Sequence, residues 1–252
     1  MSAERMIPEE VEDAFIEWIK MKGIKVALFD LDDTFVDTQK VFSTQIAAFK
    51  QFVADVSDNF DEEEYDSLYS YTHAEVVERM GVSPKHWEEI VNVIAEHYGE
   101  NVKSGISFLN EIYSTLPDLF EGVIETLDIF KKAGVRLGLV THASEDWTNF
   151  KIEGHDIKKY FEVVIPADPE IYKWKTSENW RQGIDSFGVN ADEVMVIGDN
   201  LRGDMMAAHE AGVKTLVKLP SPWGRYGEGE EIEGMYEIKQ FKDLVSSVVT
   251  QA

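Results

Sequence analysis

Apolar positions recur with two different periods along the chain, and the change of period divides it. Val11, Ala14, Phe15, Trp18 and Ile19 share one face at helical spacing, and Gly23 ends that helix. The apolar run at 24–29 then predicts a buried strand. From 39 to about 116 the spacing is helical throughout, in VFSTQIAAFKQFVADV, EEEYDSLYSYTHAEVVERM and PKHWEEIVNVIAEHY. Gly81-Val82-Ser83-Pro84 reads as a helix stop and restart, with Ser83 as N-cap and Pro84 in the first turn. A helical stretch of roughly 80 residues is far longer than an ordinary loop and predicts an inserted domain.

Beyond Gly122 strands and helices alternate. VIETLDIFKKAG is a helix closed by Gly134, VRLGLVT a strand, FEVVIPA a shorter strand, and TSENWRQGIDSFG a helix closed by Gly188. EVMVIGD is a strand, GDMMAAHEAG a helix closed by Gly212, and VKTLVKL a final strand. Strands separated by helices of this length imply right-handed crossovers and a parallel sheet covered on both faces. The expected fold is therefore α/β: a doubly wound, Rossmann-like parallel sheet with an inserted α-helical domain. Residues 1–37 and 118–252 form the discontinuous α/β core, and 38–117 the helical domain. The polar loop SPWGRYGEGEEIEG at 221–234 has no assigned role.

Composition narrows the possible functions. A chain of 252 residues with 44% hydrophobic content can bury a full core. Its 24 Lys and Arg against 48 Asp and Glu leave a formal net charge of −24, which repels nucleic acid and anionic membrane. There are no cysteines, so thiol nucleophiles, disulfides and Cys-ligated metals are excluded. The acidic, amphipathic N-terminal stretch has no secretory pattern, and no apolar run approaches the ~18 residues of a membrane span. A cytoplasmic protein is expected, with oligomeric state open.

The chemistry gathers after the strands. In VALFDLDDT, four apolar residues run into Asp30, Asp32 and Asp33; Thr141 ends VRLGLV, Asp199 ends VMVIG, and Lys173 and Lys175 lie just beyond FEVVIPA. Open parallel sheets place their binding crevice at these carboxyl ends, so the segments converge. Carboxylate ligands without histidine or thiol suit Mg²⁺, which also offsets the repulsion among them. A carboxylate beside Mg²⁺ can attack phosphorus, and a second one two residues on can act as acid and base. Thr141 can donate to a phosphoryl oxygen, and a lysine can hold the phosphate charge.

FDLDDTFVDT, LVTHAS, IYKWKTSENW and VIGDNLRGDMMAAHEAG together resemble the four ordered motifs of the haloacid dehalogenase-like (HAD) hydrolase superfamily, including its DxDxT and GDxxxxD signatures. The resemblance covers 24 to about 217, and the helical insertion stands at the position of that family's cap. It implies Asp30 as nucleophile and Asp32 as acid/base, with Mg²⁺ held by Asp30, the Asp32 backbone carbonyl and Asp199, and Asp204 close by. It places Thr141, His142 and a lysine at the substrate phosphate. Lys175 is the preferred lysine because a helix begins at Thr176 and Ser177, with Lys173 as competitor. His142 stands where the family often has Asn, Thr176 where it often has proline, and Phe35 where a leucine is frequent.

Blander roles compete at several positions. Asp204 is equally readable as the N-cap of MMAAHEAG, Asp33 as a loop residue, and His142 as a local hydrogen-bonding group. The implied activity is a Mg²⁺-dependent phosphatase for a small phosphorylated metabolite, with the cap closing over the crevice. Alternatives are a sugar phosphomutase, a 2-haloacid dehalogenase, which needs neither Asp32 nor metal, and a non-catalytic binding protein on the same fold.

Overall fold

The computed structural model describes residues 7–169, 171, 174–224 and 232–251. Its strands are β1 (Val26–Phe29), β2 (Arg136–Thr141), β3 (Phe161–Pro166), β4 (Val194–Gly198), β5 (Thr215–Lys218) and β6 (Tyr236–Glu237). They form one parallel sheet in the order β3-β2-β1-β4-β5-β6. The order reverses direction at β1, so the ends of β1, β2 and β4 lie side by side at the switch point.

The pleat of β1 decides what packs on each side, because successive side chains point to opposite faces. Ala27 and Phe29 join Phe15, Trp18 and Ile19 of α1 (Glu9–Lys22), Leu127 and Phe130 of α6 (Val123–Lys132), and Leu244 and Val248 of α10 (Leu244–Thr250). Val26 and Leu28 join Trp180, Ile184 and Phe187 of α8 (Ser177–Phe187) and Ala207 and Ala208 of α9 (Ala207–Glu210) on the other face. All four β1 residues are buried, as a doubly covered strand requires. Glu12, buried on α1, pairs with Lys132 of α6.

Two compact units emerge. The first comprises Met1–Asp37, Asp118–Ala167 and Lys175–Ala252; the second comprises Thr38–Pro117 with Asp168–Trp174. In the first unit the segments leading out to and back from the insertion pair with each other. Asp37 N–H donates to Asp118 O at 2.9 Å, and Phe120 N–H to Phe35 O at 2.8 Å.

The second unit contains α2 (Thr38–Val56), α3 (Glu62–Met80), α4 (Pro84–Tyr98) and α5 (Ile106–Asn110). The Ser83-Pro84 start of α4 is as expected, and His86 Nδ1 accepts from the Ser83 backbone N–H at 3.0 Å. Trp87 is wholly buried and donates from Nε1 to Tyr113 Oη at 3.2 Å. Gly105 lets the turn before α5 close on α2, since a Cβ there would lie 2.6 Å from the Phe52 ring and 2.9 Å from Phe49.

Several elements differ from the sequence expectation, among them the helices at Glu145–Gly154 and Leu244–Thr250, which it did not include. VKTLVKL is a strand only at Thr215–Lys218. β6 adds two residues beside β5, too few to show a period. GDMMAAHEAG opens as a π-helical turn, Leu201–Met206, before α9. Among the described residues no helix is long and apolar enough to cross a membrane.

Phe130 is wholly buried, with Phe15 and Phe29 edge-on at centroid distances of 5.2 and 5.5 Å. Phe130→Ala should lower unfolding free energy by about 3–5 kcal/mol in urea titration; a loss under 1 kcal/mol would contradict this packing.

Candidate active site

Asp30 follows the last residue of β1, and its N–H donates to Ile197 O of β4 at 2.9 Å. That bond fixes the carboxylate at the switch point. Asp30 Oδ2 accepts from Thr34 Oγ1 at 3.2 Å, and Oδ1 accepts from Lys175 Nζ. Lys175, itself buried, also donates to Val140 O at 3.3 Å. Its ammonium also forms an ion pair with Asp204 Oδ1 at 2.5 Å. Thr176 starts α8 as its cap, with Asn179 Oδ1 accepting from Thr176 N–H at 2.9 Å. A capping threonine thus stands where the family often has proline, and α8 starts at Ser177 directly after it. Lys173 lies outside the described residues.

Asp204 does not cap the helix that follows. Asn200 takes that place, with Oδ1 accepting from the N–H groups of Arg202 (3.1 Å) and Gly203 (2.9 Å). Asp204 sits inside the π turn, and its Oδ2 accepts from Asn200 N–H at 3.0 Å. Gly198 admits it: a Cβ at 198 would lie 2.7 Å from Asp204 Cγ. Trp180 Nε1 secures the same turn by donating to Gly203 O at 2.8 Å.

Asp199 is buried, and its Oδ2 accepts from Ser221 Oγ at 2.6 Å. Asp33 adopts φ 56°, and its Oδ2 accepts from Trp223 Nε1 at 2.7 Å. Ser221 and Trp223 open the loop to which the sequence assigned no role; two polar donors after a strand were its only signal.

Asp32 has a separate environment. Its side chain is 22% exposed, and Lys151 Nζ donates to both oxygens, at 2.6 and 2.7 Å. Lys151 comes from α7 (Glu145–Gly154) and is wholly buried, its ammonium 3.7 Å from the Trp147 ring centroid. Sequence reasoning missed it, although Trp147 and Lys151 stand at i,i+4 on one helix face. Thr141, at the end of β2, is wholly buried, and its Oγ1 has no hydrogen-bond partner among the described residues. His142 is half-buried in the following turn.

Burial pushes Asp30 up to about 7, opposed by Lys175 and reinforced by Asp204 and Asp32. Burial also raises Asp199 well above the usual carboxylate range, aided by Asp30 and Asp204, while Ser221 opposes. Burial alone would lower Lys175, but Asp204 and Asp30 reverse this and the net direction is upward. Asp30, Asp199 and Asp204 each offer an oxygen within 4.8 Å of the others. Three buried carboxylates whose oxygens converge fit a hard divalent cation with oxygen preference.

Residues 27–218 match the family described as haloacid dehalogenase-like hydrolase. The chain is 28% identical over 236 residues to a glyceraldehyde 3-phosphate phosphatase of Pyrococcus furiosus, covering 92% of each protein. It is 29% identical over 194 residues to the pyrophosphatase PpaX of Bacillus velezensis, covering 77% of this chain and 82% of that one. A haloacid dehalogenase-like hydrolase from Xanthomonas campestris shares the fold with a TM-score of 0.69 at 16% identity, over 90% of this chain and 96% of that one.

Two outcomes follow from this electrostatic geometry. Without divalent cation, the folded state holds the Asp30 proton up to about pH 7, whereas the unfolded chain releases it near 3.8. The folded state thus binds more protons across that window, and this group makes stability fall as pH rises through it. Tm should therefore decline more steeply between about pH 5.5 and 7.5 in metal-free wild type than in Asp30→Asn. Mg²⁺ should raise the wild-type Tm more at the upper pH; equal slopes in the two proteins would refute the assignment. Gly198→Ala should displace Asp204, costing about 1–3 kcal/mol of stability and weakening Mg²⁺ binding in calorimetry; unchanged affinity would show that Asp204 can relocate.

Proposed function

Because the chain belongs to the haloacid dehalogenase-like hydrolase family, we propose that it is a Mg²⁺-dependent phosphatase that cleaves a small phosphorylated metabolite through an aspartyl-phosphate on Asp30. The observation that carries the reading is the Lys175 ammonium joined to both Asp30 and Asp204 beside the Asp199 carboxylate. Such a site offers a nucleophile, a fixed positive charge and oxygen ligands together.

An Asp30 carboxylate oxygen attacks phosphorus, and the bond to the leaving oxygen breaks. Asp32 gives that oxygen its proton, then takes one from the water that attacks the acyl phosphate. The second attack breaks the bond between phosphorus and Asp30, releasing phosphate and restoring the carboxylate. The unpartnered Thr141 hydroxyl donates to a phosphoryl oxygen, which supplies the bond that this buried group otherwise lacks. Lys175 neutralises the nucleophile and the incoming phosphoryl charge.

Mg²⁺, when bound, supplies positive charge to the phosphoryl oxygens and the carboxylate cluster. Asp30 and Asp199, with the Asp32 backbone carbonyl, would hold it in this reading. Asp204, engaged by Lys175 and Asn200 N–H, would add negative charge beside the cation. His142 and Lys173 remain assigned to the substrate side on sequence grounds. The phosphatase names of both relatives favour hydrolysis over mutase chemistry, and retention of Asp32 disfavours haloacid dehalogenation, which does not need it. The negative charge of the chain disfavours nucleic acid substrates.

A panel of phosphate esters assayed with Mg²⁺ tests the reading, and it should include glyceraldehyde 3-phosphate and pyrophosphate, the substrates in the relatives' names. Asp30→Asn should abolish phosphate release, and Asp32→Asn should lower turnover by on the order of 10²–10⁴-fold. Full activity in Asp30→Asn would sink the mechanism, and dependence on a bisphosphate activator would convert the reading to a mutase.

A further inference from the structure

Lys151 belongs to none of the motifs that carry the family resemblance, yet its burial requires an explanation. An ammonium with no solvent exposure is costly unless charge and hydrogen bonds compensate it. Compensation comes from both oxygens of Asp32 and from the face of Trp147, one turn earlier on α7. Ser144 Oγ accepts from Trp147 N–H at 3.4 Å and caps the helix, so the platform is anchored at its base.

Asp32 stands two residues from the carboxylate cluster and is chemically able to join it. Among the described residues, however, the group whose oxygens converge is Asp30, Asp199 and Asp204, without Asp32. We propose that Lys151, standing on Trp147, is a positioning residue that holds the Asp32 carboxylate off the cation and aims it at the leaving oxygen. This deepens the phosphatase reading and rests on it. A carboxylate ligating Mg²⁺ cannot carry a transferable proton, so the acid/base group must be restrained from becoming a ligand. Two lysines then serve the two catalytic carboxylates, Lys175 fixing the nucleophile and Lys151 the acid/base.

The test is the dependence of kcat/KM on leaving-group acidity, which reports the steps through transfer to Asp30. Wild type, Lys151→Met, Lys151→Gln and Asp32→Asn are compared on a series of aryl and alkyl phosphates with Mg²⁺. A misdirected acid penalises poor leaving groups more than good ones. Lys151→Met should lose on the order of 10-fold on the least acidic alcohol and far less on nitrophenyl phosphate, a part of what general acid catalysis supplies. Lys151→Gln should show the same steepened slope if the Met variant does not fold, and neither change should matter further in Asp32→Asn. Parallel lines, with uniform loss across the series, would mean a merely structural lysine and overturn the proposal.

The underlying reading fails separately. An unchanged slope in Asp32→Asn removes its acid/base role, and this proposal with it. Should the wild type hydrolyse none of the series, a double-mutant cycle between Lys151→Met and Asp32→Asn on unfolding free energy still reads the pair without substrate. Additive losses there overturn the clamp; marked coupling retains the Lys151–Asp32 pair but, with no hydrolysis, overturns its role in aiming an acid.

Discussion

Lys175 between Asp30 and Asp204 answers the main electrostatic demand of the first unit. Parallel topology brings β1, β2 and β4 to one edge, and each ends in a side chain that must face the same crevice. Asp30, Asp199 and Asp204 are buried there within reach of one another, and burial raises both Asp30 and Asp199. One lysine cannot neutralise three carboxylates. The remaining negative charge makes the site a receptor for a cation, and a phosphoryl group follows the cation.

The surrounding structure keeps these groups from moving apart. Gly198 clears space for Asp204, the π turn aims it, Asn200 caps that turn, and Trp180 holds it from the neighbouring helix. π turns within helices often mark functional sites because they re-aim side chains at a cost in regularity. Ser221 and Trp223, from one loop, grip Asp199 and Asp33. The Asp33 backbone occupies the left-handed region, so the turn after β1 carries local strain that these partners hold in place.

The strands and helices of the α/β core were legible because both faces of the sheet are covered and the strands read as apolar runs. The placement of Asp30, Lys175 and Asp199 was legible because Asp30 and Asp199 directly follow strands and Lys175 directly precedes α8. Lys151 was not, since no helix was read between VRLGLVT and FEVVIPA, and only the fold places a carboxylate beside that lysine. The two readings of Asp204, as N-cap or as metal neighbour, stayed open in the sequence for a similar reason. Asn200 and Asp204 are both good N-caps, and only the π turn decides between them. β6 and α10 escaped because a two-residue strand and a seven-residue helix carry too little periodicity.

Asp30 and Asp32 illustrate how two identical side chains, two residues apart, acquire different tasks. A nucleophile must approach phosphorus along a fixed line, and Asp30 is buried, hydrogen-bonded by Thr34 and Lys175, and tied by its backbone to β4. An acid/base group must instead reach the leaving oxygen and then the attacking water, which full burial would prevent. Asp32 retains partial exposure, while its geometry is supplied by a lysine that gives up its own exposure. The strand end thus fixes one carboxylate, and a neighbouring helix must fix the other, because the chain has already turned away from the sheet at Asp32. Rigidity and access to water are reconciled by moving the burial from the carboxylate to its partner.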